Sequence, residues 1–191
     1  MTNPAVLEKA FSMQPCFSLA QARRVLSGAS AGYARLLLHN LVKGGRLHRV
    51  ARGVYSFHSE AQVAGFAFSP FYYGLQDALS LHGAWEQETN PVVVTVRKVR
   101  EGVRSFEGAN FVVRCIPRRL FFGFESMQYG DLWVPVSSLE KTLADLAYFR
   151  CHVPADALRE IRPRVDLKEL DEVLSRFPKP AASRAREMLS E

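Results

Sequence analysis

The strongest constraint on the fold lies between Ser18 and Phe57. Two helical patterns, split by a short glycine-containing break, run straight into a basic hairpin. Ser18 precedes "LAQARRVL", in which Leu19, Ala22, Val25 and Leu26 recur at helical spacing. "SGAS" follows, with Gly28 suited to a tight turn and Ser30 placed as an N-cap. A further helix is expected over 31–43, with an apolar stripe of Ala34, Leu37, Leu38 and Leu41. Gly44-Gly45 ends it. "RLHRVARGVYSF" then reads as a hairpin turning at "ARG", and 4–13 adds a short helix in front, with Pro4 in its first turn. In the hairpin, Leu47, Val54, Tyr55 and Phe57 are expected to pack on the helices.

Helix, helix, basic hairpin is the order of a winged helix-turn-helix. In that arrangement the second helix of the pair enters the DNA major groove N-terminus first. At about 100° per residue, Gly32, Leu36, His39 and Lys43 point away from the apolar stripe, flanked by Tyr33, Arg35 and Asn40. The expected DNA contacts are Ser30, Gly32, Tyr33, Arg35 and His39 from the helix, with Arg46, Arg49 and Arg52 from the hairpin. Arg46 divides between phosphate contact and solvating the base of the hairpin. Leu36 is out of place on a polar face, and packing on a neighbouring element is favoured over contact with a ligand. The competing reading is a small helical domain whose hairpin packs on another protein.

Charge sharpens the first reading. The chain carries a net +6, and residues 1–60 hold eight Lys/Arg against Glu8 and Glu60, so the whole excess sits in the first third. Such asymmetry points to a polyanionic partner. A second basic cluster occupies 97–119 (Arg97, Lys98, Arg100, Arg104, Arg114, Arg118 and Arg119 against Glu101 and Glu107). It suits an extended DNA footprint, an acidic partner or a solvated strand face equally.

The rest of the 191 residues reads as a second domain after a connector over 58–69. "SPFYYGLQDALSLHG" is expected as a capped helix ending at Gly83. "PVVVTVR" (91–97) and "NFVVRCIP" (110–117) are expected as strands joined by a polar loop. Residues 120–136 supply one or two more strands around Tyr129-Gly130-Asp131. "SSLEKTLADLAYF" (137–149) is a helix with Ser137 and Glu140 at capping-box spacing and Lys141–Asp145 as an i,i+4 pair. Helices close the chain near 166–177 and 181–190. The fold class is therefore α+β: a winged helix-turn-helix over 1–60, then an α+β domain over 69–191 with a small, mostly antiparallel sheet and helices.

Several classes of chemistry find no support in the sequence. No apolar run approaches the roughly 20 residues of a membrane span. The N-terminus has no signal-peptide pattern, because Glu8 and Lys9 interrupt it. A soluble, cytoplasmic protein is expected. Cys16, Cys115 and Cys151 are odd in number and scattered, so free thiols are expected, with no metal site and no cofactor. Asp77 and His82 lie five apart on a helix and well apart around its circumference. Phosphate-binding loops and a "G-x-S-x-G" elbow are absent. No catalytic residue is assigned, and an enzyme is the least favoured reading. His39 and His48 are the two histidines expected on the DNA side.

The order of these motifs resembles the AbiEi-type antitoxins. The resemblance rests on "LVKGG" followed by "RLHRVARGVY", on "SPFYYGLQDALSLHGA" with its Leu-His-Gly turn, and on "PVVVTVRK", "FFGFE" and "VPVSSLEKTLADLAYF". It covers roughly 15–150 and loosens over the final helices. It implies a transcriptional repressor that binds operator DNA and acts as the antitoxin of a type IV toxin–antitoxin system in phage defence. The functional partner it implies is a nucleotidyltransferase toxin. Relatives also occur as orphan regulators.

Overall fold

The structure, a computed structural model, describes residues 3–85 and 89–190. It forms two compact units: Met1–Ser69 with Ser105–Ala109, and Pro70–Arg104 with Asn110–Glu191.

In the first unit the order is α1 (Asn3–Phe11), β1 (Phe17–Ser18), α2 (Leu19–Val25), α3 (Ala31–Lys43), β2 (His48–Ala51) and β3 (Val54–Ser56). Ser18 starts α2 with a reciprocal cap: its Oγ accepts from the Gln21 backbone N–H, and Gln21 Oε1 accepts from the Ser18 N–H. Gly28, at φ +83°, makes the turn into α3. The three strands form an antiparallel sheet in the order β1–β3–β2, with Phe17 opposite Tyr55 and Arg49 opposite Tyr55 on the other side. The β2–β3 turn falls at Arg52-Gly53, where Gly53 takes φ +77°. Leu7, Phe11, Phe17, Ala22, Leu26, Ala34, Leu38, Leu41 and Leu47 form the core, with Leu37, Tyr55 and Phe57 packed against it. Phe11 stacks on Phe17 with ring centroids 4.2 Å apart. Strand β1 carries no sequence signal, since two residues hold no periodicity.

Residues 58–69 are more than a connector. Ala61–Phe68 forms a 3₁₀ segment that buries Val63, Ala64, Ala67 and Phe68.

The remaining strands and the next helix are β4 (Phe71–Tyr73), α4 (Leu75–Leu81), β5 (Val92–Thr95), β6 (Gly102–Phe106), β7 (Ala109–Cys115), β8 (Phe124–Tyr129) and β9 (Leu132–Ser137); they belong to the second unit except for Ser105 and Phe106 at the end of β6 and Ala109 at the start of β7, which belong to the first. Helices α5 (Leu139–Phe149), α6 (Ala155–Ile161), α7 (Leu167–Ser175) and α8 (Lys179–Ser190) follow. The sheet has six strands in the order β6–β7–β5–β4–β9–β8 and is mixed. The pairs β4–β5 and β8–β9 are antiparallel, whereas β4–β9 and β5–β7 are parallel. This corrects the small, mostly antiparallel sheet expected from sequence. That expectation made sequence neighbours into hairpin partners. Here β6 occupies the supposed polar loop before β7, so the chain crosses over and β7 runs parallel to β5.

Two further expectations change. Phe71–Tyr73 is a fully buried strand in the sheet interior rather than the start of a helix, and α4 begins only at Leu75. Three consecutive aromatic residues suit a strand covered on both faces. The N-cap of α5 is Ser138, whose Oγ accepts from the Lys141 N–H, in place of the expected Ser137. Glu140 instead accepts from the backbone N–H of Asp166, which begins α7. Helix α5 is buried along most of its length, and its Leu143, Ala144, Leu146 and Ala147 share a core with Leu170, Val173, Leu174, Ala181 and Ala185 of α7 and α8.

Candidate nucleic-acid interface

Helix α3 presents the candidate surface. Ser30 caps it, its Oγ accepting from the Tyr33 N–H at 3.1 Å. Burial of Ala34, Leu38 and Leu41 turns the opposite face outward, so Gly32, Arg35, Leu36, His39, Asn40 and Lys43 are exposed together. Leu36 is 57% exposed, which corrects the expectation that it packs on a neighbouring element. Tyr33 is tied to α1: its hydroxyl accepts from Asn3 Nδ2 at 2.7 Å. The helix therefore brings Gly32, Arg35 and His39 onto one face, with Ser30 at its N-terminal end and Tyr33 at its flank.

On the hairpin, Arg49 is exposed along β2 and Arg52 projects at the turn. Among the described residues, neither these two nor Arg35 forms an ion pair. Arg46 differs. Its guanidinium lies 3.0 Å from Glu8 of α1, in a solvent-exposed pair. His48 also finds an acid, with Nδ1 3.1 Å from Glu107 within the first unit, and its ring meets the edge of Phe106.

In the second unit the basic cluster is partly engaged internally. Arg114 pairs with Glu101 at 3.6 Å, and Arg104 donates to the carbonyl of Arg100. Arg119 donates to the carbonyl of Arg176, and Cys115 Sγ contacts the carbonyls of Arg97 and Val99.

Two buried polar networks were only half legible. Lys141 and Asp145, read as an i,i+4 pair, are both fully buried and in direct contact. Tyr72 closes the triangle: its hydroxyl accepts from Lys141 Nζ and donates to Asp145 Oδ2, each at 2.8 Å. The ammonium also lies over the rings of Tyr72, Phe122 and Phe177, at 4.9, 5.6 and 5.2 Å from their centroids. Burial pushes the lysine down and the aspartic acid up, and their mutual contact opposes both effects. Asp77 forms the second network. It is 1% exposed and accepts from the Val92 N–H and the Tyr129 hydroxyl. Burial pushes its carboxyl up to about 7, against the pull of those two hydrogen bonds. His82, five residues further along, is bonded to the Ser137 carbonyl instead.

Tyr72, Lys141, Asp145 and Asp77 are all buried, whereas Tyr129 at the edge of the second network is part-buried. Cys16, Cys115 and Cys151 are free thiols, and burial pushes the Cys16 thiol up to about 12. Among the described residues no group of His, Cys, Asp and Glu side chains is placed to hold a metal ion, and no helix is long and apolar enough to cross a membrane.

Comparison with known proteins bears on the first unit most directly. Residues 6–58 match a family model described as "Transcriptional regulator, AbiEi antitoxin". That segment contains α3 and the β2–β3 hairpin; the resemblance read from sequence beyond it lies outside the match. No curated protein matches the chain. Among solved structures, the crystal structure of the RV2827C protein from Mycobacterium tuberculosis is similar, with a TM-score of 0.65 at 14% identity. The alignment covers 100% of this chain and 77% of that one, so the likeness is one of fold across both units.

Proposed function

We propose that this chain is a sequence-specific DNA-binding transcriptional repressor and the antitoxin of a type IV toxin–antitoxin system. The observation that carries the proposal is the pairing of one exposed helix face with a basic hairpin whose Arg49 and Arg52 form no ion pair among the described residues. Within the segment matching an antitoxin regulator family, α3 offers Arg35 and His39 beside a capped N-terminus, and the hairpin offers Arg49 and Arg52. In a winged helix-turn-helix, such a helix reads base edges in the major groove and such a wing holds backbone or minor groove. Ser30 and Gly32 sit where the helix N-terminus approaches phosphate. Tyr33 and Arg46 flank this surface, held by α1.

The test is selection of binding sites from random duplex by the full chain, followed by competition. A repressor enriches one motif and binds it at least tenfold tighter than random duplex. Equal affinity for both would rule out sequence-specific repression. The antitoxin role needs its own measurement, because the family match ends at residue 58. Co-expression with a nucleotidyltransferase encoded beside the gene should restore growth. Failure to do so, with DNA binding intact, leaves an orphan regulator.

A further inference from the structure

Leu36 is the one large aliphatic side chain on the exposed face of α3, and among the described residues it is left 57% exposed. Gly32, one turn earlier on the same face, is equally unexplained by the fold. It lies in ordinary helical conformation, and a Cβ there would meet only Ser30 Oγ at 3.9 Å. A glycine at a helical position with room for a side chain weakens the helix without a packing reason. Together the two positions make a gap followed by an apolar knob, on the same exposed face as Arg35 and His39. The first unit holds eight Lys/Arg against Glu8, Glu60 and Glu107, so the surface around them suits a polyanion.

We infer that Leu36 is a specificity-determining residue that reads the 5-methyl group of thymine. The inference rests on the DNA-binding reading above. In the major groove, the thymine methyl is the one apolar group on a base-pair edge, and aliphatic side chains recognise it by contact. The gap at Gly32 lets the helix backbone come close enough for a side chain of leucine length to reach that methyl. Arg35 and His39, exposed on the same face, supply donors for neighbouring bases.

The test uses the full chain and the duplex motif that it selects. Each thymine is replaced in turn by deoxyuridine, which removes the methyl and leaves every hydrogen-bonding group. At one or two positions the replacement should weaken wild-type binding about three- to fivefold, as expected for losing one buried methyl. Leu36→Ala should bind thymine and uracil duplexes equally at those positions. Leu36→Gln, selected afresh, should lose its thymine preference there. Because Leu36 is exposed, both variants should melt within a few degrees of wild type. If uracil is tolerated everywhere, or if Leu36→Ala shows the same uracil penalty as wild type, the assignment is wrong while DNA recognition stands. If no motif is enriched at all, both the assignment and the DNA-binding reading fall.

Discussion

Arg52 and Arg35 hold different kinds of position, and a duplex should register the difference. Arg52 lies at a hairpin turn and forms no ion pair among the described residues; in the proposed DNA complex it would meet phosphate. Arg35 stands on a helix face, where a guanidinium can bond guanine at two points. Arg52→Ala should weaken binding to all duplexes by a similar factor, while Arg35→Ala should relax preference at one base pair by about 1–3 kcal/mol. Titration of both variants against matched and mismatched duplexes checks this. Lys141 is a structural counterpart. Lys141→Met leaves Asp145 buried without its cation and should cost about 3–5 kcal/mol in denaturant unfolding. Adding Asp145→Leu should restore most of that loss, since no lone charge then remains. The spacing of this pair was legible in the sequence. Its burial was not, because Tyr72, Phe122 and Phe177 reach Lys141 from distant parts of the chain.

At the scale of elements, Asp77 joins three: it sits on α4, holds the start of β5 through Val92 and receives the Tyr129 hydroxyl from the end of β8. Its folded carboxyl titrates at about 7, against 3.8 as the ordinary value. Between these values the folded chain keeps a proton that the unfolded chain has lost. The stability contributed by Asp77 is thus fully present below about pH 4 and falls as pH rises through 7, by about 4 kcal/mol at most. Asp77→Asn should remove this slope. Unfolding measured at pH 5 and pH 8 should show the variant gaining on wild type at the higher pH. A constant gap would mean that Asp77 does not titrate in this range. Elements that announce themselves locally were readable: Ser30, the α3 stripe and the glycines after it are all short-range signals. Strand β4 was not, because Phe71–Tyr73 adjoins a helical pattern and owes its conformation to β5 and β9 on either side.

For the whole molecule, charge divides unequally between the two units, and the excess lies in the first. If four to six phosphates are neutralised, log K should fall with log salt at a slope of about −4 to −5. A slope near zero would remove the electrostatic basis of the DNA proposal; fluorescence anisotropy across a salt series measures it. By itself the sequence determined the helices of the first unit, its basic hairpin and the exposed face of α3, since periodicity, caps and turns act over a few residues. Only the tertiary structure decided the order and direction of the six strands, where residues as far apart as Tyr73 and Ser137, 64 positions, meet. It alone also decided that Arg46 turns to Glu8, that Tyr33 bonds Asn3 and that Leu36 stays uncovered. Each of these depends on what another segment brings alongside, and local pattern carries no information about that.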